Sequence, residues 1–177
     1  MKKTLAIICL LLTFFIIYFL QANFFSWFTV AGVKPNLFII FILFVGLFAG
    51  KKIGVILGLV LGIFIELLIG RSVGASVIML ATIGFLGEYF DKNFSKESRI
   101  TIMLMVMGCT VLYEFATYVY NIFSLGINWE IYSFMKILII EAIYNAIIVI
   151  IIYPIMQKAG YALENTFKVK NILTRYF

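Results

Sequence analysis

The sequence has no histidine, two cysteines and two prolines in 177 residues. Without imidazole there is no ordinary acid–base group near neutral pH and no imidazole-based metal site. Cys9 and Cys109 each sit inside an apolar run, so no disulfide framework is available and both read as apolar filler. Charge is scarce as well: 12% of the residues are charged, against roughly 25% in soluble domains. What is abundant is hydrocarbon, with 64% hydrophobic residues and a mean hydropathy of +1.14. A chain of this length cannot bury that much apolar surface in a core, so lipid must solvate most of its exterior. The expectation is one all-α, polytopic membrane domain over residues 1–177.

The same scarcity leaves no enzymatic chemistry, cofactor or metal to expect. No serine stands in a nucleophile motif, and the glycines are spaced for helices instead of a phosphate-cradling loop. Paired carboxylates could act on a glycan, but no soluble cleft exists to hold one. The net charge of +6 does not point to nucleic acid, because lysines and arginines gather at the ends of apolar runs.

Apolar runs bounded by charge or turn residues predict six membrane-spanning helices, at about 4–22, 36–50, 53–70, 74–91, 100–122 and 135–157. The basic and apolar start, "MKKTLAIICLLLTFF", is similar to a signal peptide, but its apolar run reaches about Leu20 with no A-x-A-like cleavage site after it. Helices two and three are short and separated by Lys51 and Lys52, which predicts a tight hairpin; five spans with 36–70 partly re-entrant is the alternative. Six spans place eleven basic residues on one side: Lys2, Lys3, Lys51, Lys52, Lys92, Lys96, Arg99, Lys158, Lys168, Lys170 and Arg175. Lys34, Arg71 and Lys136 fall opposite, so both termini are expected in the cytoplasm. Trp27, Tyr120, Trp129 and Tyr132 flank the outer ends, at headgroup level. Pro35 is expected in the first turn of helix two, where its missing N–H costs nothing. The basic and apolar tail, "ENTFKVKNILTRYF", fits either a segment lying on the anionic inner leaflet or a frayed terminus.

One stretch, "GVILGLVLGIFIELLIGRSVG", sets Gly54, Gly58, Gly62, Glu66 and Gly70 at steps of four, with Gly74 beyond. Small residues at this spacing let helix backbones approach closely in lipid. Glu66 shares that side and is expected to face inward, since a carboxyl facing lipid costs about 2.5–3.5 kcal/mol at mid-helix. Glu114 and Glu141 are expected at a similar outer depth, with Asn145 one turn below Glu141 and Tyr113 and Tyr144 adjacent. Lys34, Arg71 and Lys136 are the available counter-charges. Glu88, beside Asp91 and Lys92, is expected to be solvated at the inner boundary. The outer glutamates either pin helix packing or form a partner-docking surface or small-molecule pocket.

The segment "KPNL", residues Lys34, Pro35, Asn36 and Leu37, followed by Gly58, Gly62, Glu66, Gly70 and Gly74, resembles the bacterial rod shape-determining protein MreD family. The final helix, "EAIYNAIIVIIIYP", places Asn145 where the family tends to have asparagine. The family more often has aspartate at the position of Glu66 and often has it at that of Asn36. The resemblance implies a non-catalytic scaffold of the wall-elongation machinery in the bacterial inner membrane. It also implies binding to an MreC-like partner, and through it to an MreB-like filament and to RodA and penicillin-binding wall synthases. The implied fold is similar to the six-helix substrate-binding subunits of energy-coupling-factor vitamin transporters. Such a subunit is the rival reading, but its A-x-x-x-A-like docking motif is missing from helix one, which has a single alanine between residues 4 and 20.

Overall fold

The computed structural model describes residues 2–69, 74–126 and 130–168. Gly70, Arg71, Trp129, Lys170 and Arg175, expected to act in packing, as counter-charge, in the aromatic belt or in topology, lie outside the described residues. The described chain is helical apart from its connections and one isolated pairing of Val30 with Val33. The helices are α1 (Lys2–Phe19), the short α2 (Phe25–Trp27), α3 (Leu37–Ala49), α4 (Lys51–Ile69), α5 (Ala75–Asn93), α6 (Arg99–Leu125) and α7 (Ile131–Phe167). Among the described residues three stretches are long and apolar enough to cross a membrane: Lys2–Trp27, Arg99–Ser124 and Ile131–Phe167. Successive long helices alternate in direction, so Lys2, Lys51 and Lys168 meet at one end, termed here the basic end, and the last turn of α4 and the first turn of α5 lie at the far end.

The centre of the bundle is α3, in which every residue from Leu37 to Ala49 is buried. A helix apolar on all sides has no solvent face to offer, and α3 is enclosed by α1, α4, α5, α6 and α7 accordingly. Its 13 residues measure only about 20 Å. It is short because it starts partway down the bundle: the N–H of Asn36 donates to Asn145 Oδ1 (2.7 Å), about four turns into α7. Gln21 closes the other side, donating from Nε2 to the Pro35 carbonyl (2.7 Å) and accepting from the Leu37 N–H (3.0 Å). Gln21 lies in a π-helical turn, Leu20–Phe24, that extends α1. Pro35 is therefore outside the first turn of α3, two residues ahead of its first helical residue, because Asn36 occupies the capping position.

The α3–α4 hairpin turns on Gly50, whose φ of +90° few side-chain-bearing residues adopt, and not on the two lysines after it. At the other extreme, α7 runs ten residues beyond the expected 157, through Pro154. Its extension is held by tertiary contacts: Gly160 lies against the Phe48 ring, Leu163 joins the core, and Glu164 pairs with Lys96. These contacts outweigh the hydrogen bond that proline removes.

Candidate functional site

Glu66 is explained by the helix beside it. The α4 glycines face the α5 backbone so closely that a Cβ on Gly58 would lie 2.5 Å from the Leu80 carbonyl oxygen, and one on Gly62 would lie 2.6 Å from Val77 Cα. The seam continues at the basic end through Gly54 and Gly84, where Gly46 and Gly87 bring in α3. This close approach sets the last turn of α4 against the first turn of α5. There the carboxylate of Glu66 accepts from the N–H groups of Gly74 (2.7 Å), Ser76 (2.7 Å) and Val77 (3.3 Å). A helix start leaves such donors without partners and carries partial positive charge, so a carboxylate is the matching group. Gly74 itself serves by conformation, at φ +96°, and nothing crowds the place of its missing Cβ.

The hairpin is closed the same way at its other end. Glu88, near the end of α5, accepts from the Lys51 N–H (2.5 Å) at the start of α4 and pairs with Lys92 (2.8 Å). Its carboxylate is thus half-buried and engaged, not freely solvated as its charged neighbours suggested. Each of the two antiparallel helices caps the other.

A polar layer crosses the bundle below the Glu66 cap. Ser76 passes it to Tyr113, whose hydroxyl reaches Ser76 Oγ at 3.5 Å. The carboxyls of Glu114 on α6 and Glu141 on α7 lie beside one another and the Asn36 side chain beside Glu141; Asn36 Oδ1 and Glu141 Oε1 are buried with no hydrogen-bond partner among the described residues. One turn deeper, Asn145 Nδ2 donates to Thr110 Oγ1 (2.9 Å). The layer therefore joins α3, α6 and α7 around Asn145, which is wholly buried and serves two partners. Of the expected counter-charges, Lys34 is exposed and donates to Ser26 Oγ (2.8 Å), and Lys136 is exposed. Tyr144 turns elsewhere, donating to the Phe28 carbonyl (2.8 Å) and so tying α7 to the α2–α3 connection.

Asn145→Leu is expected to orphan the buried Asn36 N–H, while Thr110, which still donates to the Val106 carbonyl, loses only the bond it accepts; the cost is about 1–3 kcal/mol. The check is a lowered melting temperature in detergent, with Ile147→Leu, exposed on the same helix, unchanged.

The basic end holds an ion-pair knot that pattern reading missed. Lys96, in the α5–α6 connection, pairs with Asp91 (2.7 Å) and Glu164 (2.8 Å) and lies over the Phe48 ring. Lys168 pairs with Asp91 (2.5 Å) and donates to the Leu47 carbonyl (2.7 Å). Burial disfavours the charged form of Lys96, but hydrogen bonds to Asp91 and Glu164 outweigh it and raise its pKa above the usual lysine value. A raised lysine stabilises the fold fully below its unfolded pKa and loses that contribution only as pH rises through the raised value. The contribution of Lys96 is therefore insensitive to pH near neutrality. Its only sequence signal was the acid–base spacing of Asp91, Lys96, Glu164 and Lys168, which means little until α7 is known to reach residue 167.

Finally, α1 stands off α7. It buries only Leu10 and Phe14, and between the two helices runs an apolar groove of about 720 Å³ floored by α3. Leu5, Cys9 and Thr13 form one wall, Ile152, Ala159 and Ala162 the other, and Leu37, Phe41 and Phe44 the floor.

The family model described as rod shape-determining protein MreD matches residues 1–159. No curated protein and no solved structure matches the chain.

Proposed function

The chain belongs to the rod shape-determining protein MreD family, and from that premise we propose that it is a non-catalytic membrane scaffold whose α1–α7 groove receives the single span of an MreC-like partner. Membership places the protein in rod-shape determination; the scaffold role and the partner are our reading. The observation that carries it is the groove, which runs nearly the length of α1 and is lined almost entirely by apolar side chains. In lipid, helices associate by van der Waals fit, and a groove between two helices over a third offers a span more contact than a convex face.

On this reading six helices cross the bacterial inner membrane, with the basic end in the cytoplasm. Nine basic residues from Lys2 to Lys168 gather toward that end, while Trp27 and Tyr132 at the far end are 89% and 86% exposed, suiting a headgroup belt. The short α3 is compatible with a crossing because its non-helical entry is wrapped by protein, with Asn36 and Leu37 held by Asn145 and Gln21. Through the partner the scaffold would communicate with an MreB-like filament and with RodA and penicillin-binding wall synthases. The outer glutamates then serve the scaffold from within: Glu66 is committed to α5, and Glu114 and Glu141 to the α6–α7 contact.

Filling the groove tests the proposal. Ala159→Trp and Ala162→Trp, both at exposed positions on its wall, are expected to leave membrane yield unchanged and to cut co-purification of the partner severalfold. Undiminished co-purification would count against the groove.

A further inference from the structure

At the basic end a second concavity, of about 570 Å³, opens between the start of α1, the α3–α4 turn and the last turns of α5. Five lysines and two carboxylates line it. Both carboxylates are already engaged, Glu88 by the Lys51 N–H and Lys92, and Asp91 by Lys96 and Lys168. The ammonium groups of Lys3, Lys51 and Lys52 have no ion-pair partner among the described residues. All eight acidic side chains of the chain lie within those residues, so no further side-chain carboxylate exists to neutralise them. Between the lysines the lining is apolar, with Ile7, Ile53 and Phe167. The start of α4, a 19-residue helix, also faces this space and adds its own partial positive charge.

Unpaired ammonium groups beside a helix start select an anion rich in oxygen, and the choice between a soluble and a lipid anion follows from the floor. Ile7 belongs to α1, whose exposed apolar surface on that side continues at Ile8 and Phe15. A headgroup seated among the lysines has hydrocarbon directly beneath it; a free phosphate would leave that surface uncovered. We propose that this pocket binds the phosphate of an anionic phospholipid, with Lys3, Lys51 and Lys52 around its oxygens and the glycerol and upper acyl chain over Ile7 and Ile53. The proposal rests on the membrane character of the chain and is independent of partner docking.

The test uses full-length protein, purified in detergent, stripped of lipid and titrated separately with phosphatidylglycerol, phosphatidylcholine and inorganic phosphate, with bound lipid counted by native mass spectrometry. Phosphatidylglycerol is expected to be retained severalfold over phosphatidylcholine, and inorganic phosphate to compete only weakly. Combining Lys3→Gln, Lys51→Gln and Lys52→Gln should weaken phosphatidylglycerol by about fivefold per lysine removed. The lipid-free melting temperature should change little, since these ammonium groups form no ion pair among the described residues. Should the triple variant fold poorly, Lys3→Gln alone, at the exposed start of α1, must still lower phosphatidylglycerol affinity. Equal retention of the two lipids, or unchanged affinity in the variants, would overturn the site. Displacement of phosphatidylglycerol by equimolar inorganic phosphate would overturn the lipid as its ligand.

Discussion

Gly62→Leu is expected to leave little folded protein in the membrane, and Gly58→Leu no more. The positions a Cβ would take are occupied by the Cα of Val77 and the carbonyl of Leu80, and backbone has no rotamer to swing aside. The only accommodation is to move α5 away from α4. That separation would spoil the neighbouring approaches at Gly54 and Gly84 and pull the Glu66 and Glu88 carboxylates from the helix starts they cap. Overpacking a core typically costs about 1–3 kcal/mol, and losses along a whole seam push this case to or beyond the upper end, a large share of the ~5–15 kcal/mol that separates folded from unfolded protein. Gly108→Leu is the control, because a Cβ there meets nothing within 4 Å. Membrane yield and melting temperature in detergent should fall steeply for the α4 variants, less for Gly62→Ala, and not for Gly108→Leu. A normal melting temperature for Gly62→Leu would show that the seam does not hold α4 to α5.

The α4 half of that seam is readable from the sequence, because Gly54, Gly58 and Gly62 repeat at the spacing of one helix face. The receiving half is not. Gly84 and Gly87 are three apart, Gly46 lies on a third helix, and nothing local says that these glycines meet. The glutamates divide in the same way. An inward-facing Glu66 follows from the cost of exposing a carboxyl to lipid, but its partners are eight to eleven residues on, across a connection whose course a periodicity argument cannot supply. Glu88 reads as a boundary residue because Asp91 and Lys92 lie three and four positions on, whereas its acceptor role depends on a backbone N–H 37 residues earlier. Asn145 and Asn36 were recognisable as polar residues in apolar surroundings. Gln21, which completes the α3 entry with them, was invisible because a glutamine at the end of a first apolar run reads as an ordinary boundary residue. The length of α7 was missed for a related reason: Pro154 and Lys158 mark an end by local rules, and only the fit of Gly160 on Phe48 and the Lys96–Glu164 pair overrides them.

Glu66→Leu should destabilise the protein with no partner present, and this separates an internal cap from a docking acceptor. In the wild-type chain three N–H groups at the start of α5 share one carboxylate. Leucine removes the acceptor and the negative charge opposite the helix dipole together. Water at the half-open far end can take over part of the loss, so a cost of about 2–4 kcal/mol is expected, between the value of one unsatisfied buried donor and that of three. Glu66→Gln keeps one oxygen and should fall between wild type and Glu66→Leu. The melting temperature should drop in the purified protein alone, and amide exchange at Gly74, Ser76 and Val77 should accelerate more than at mid-α5 positions such as Ile83. A carboxylate reserved for a partner behaves differently: its replacement would leave both measurements of the isolated protein unchanged and would weaken co-purification only. Since both carboxylate oxygens are occupied from within the chain, with Gly74 on Oε2 and Ser76 and Val77 on Oε1, any effect of Glu66→Leu on partner binding should follow the loss of stability in proportion. Substitutions in the α1–α7 groove should instead weaken partner binding at constant stability.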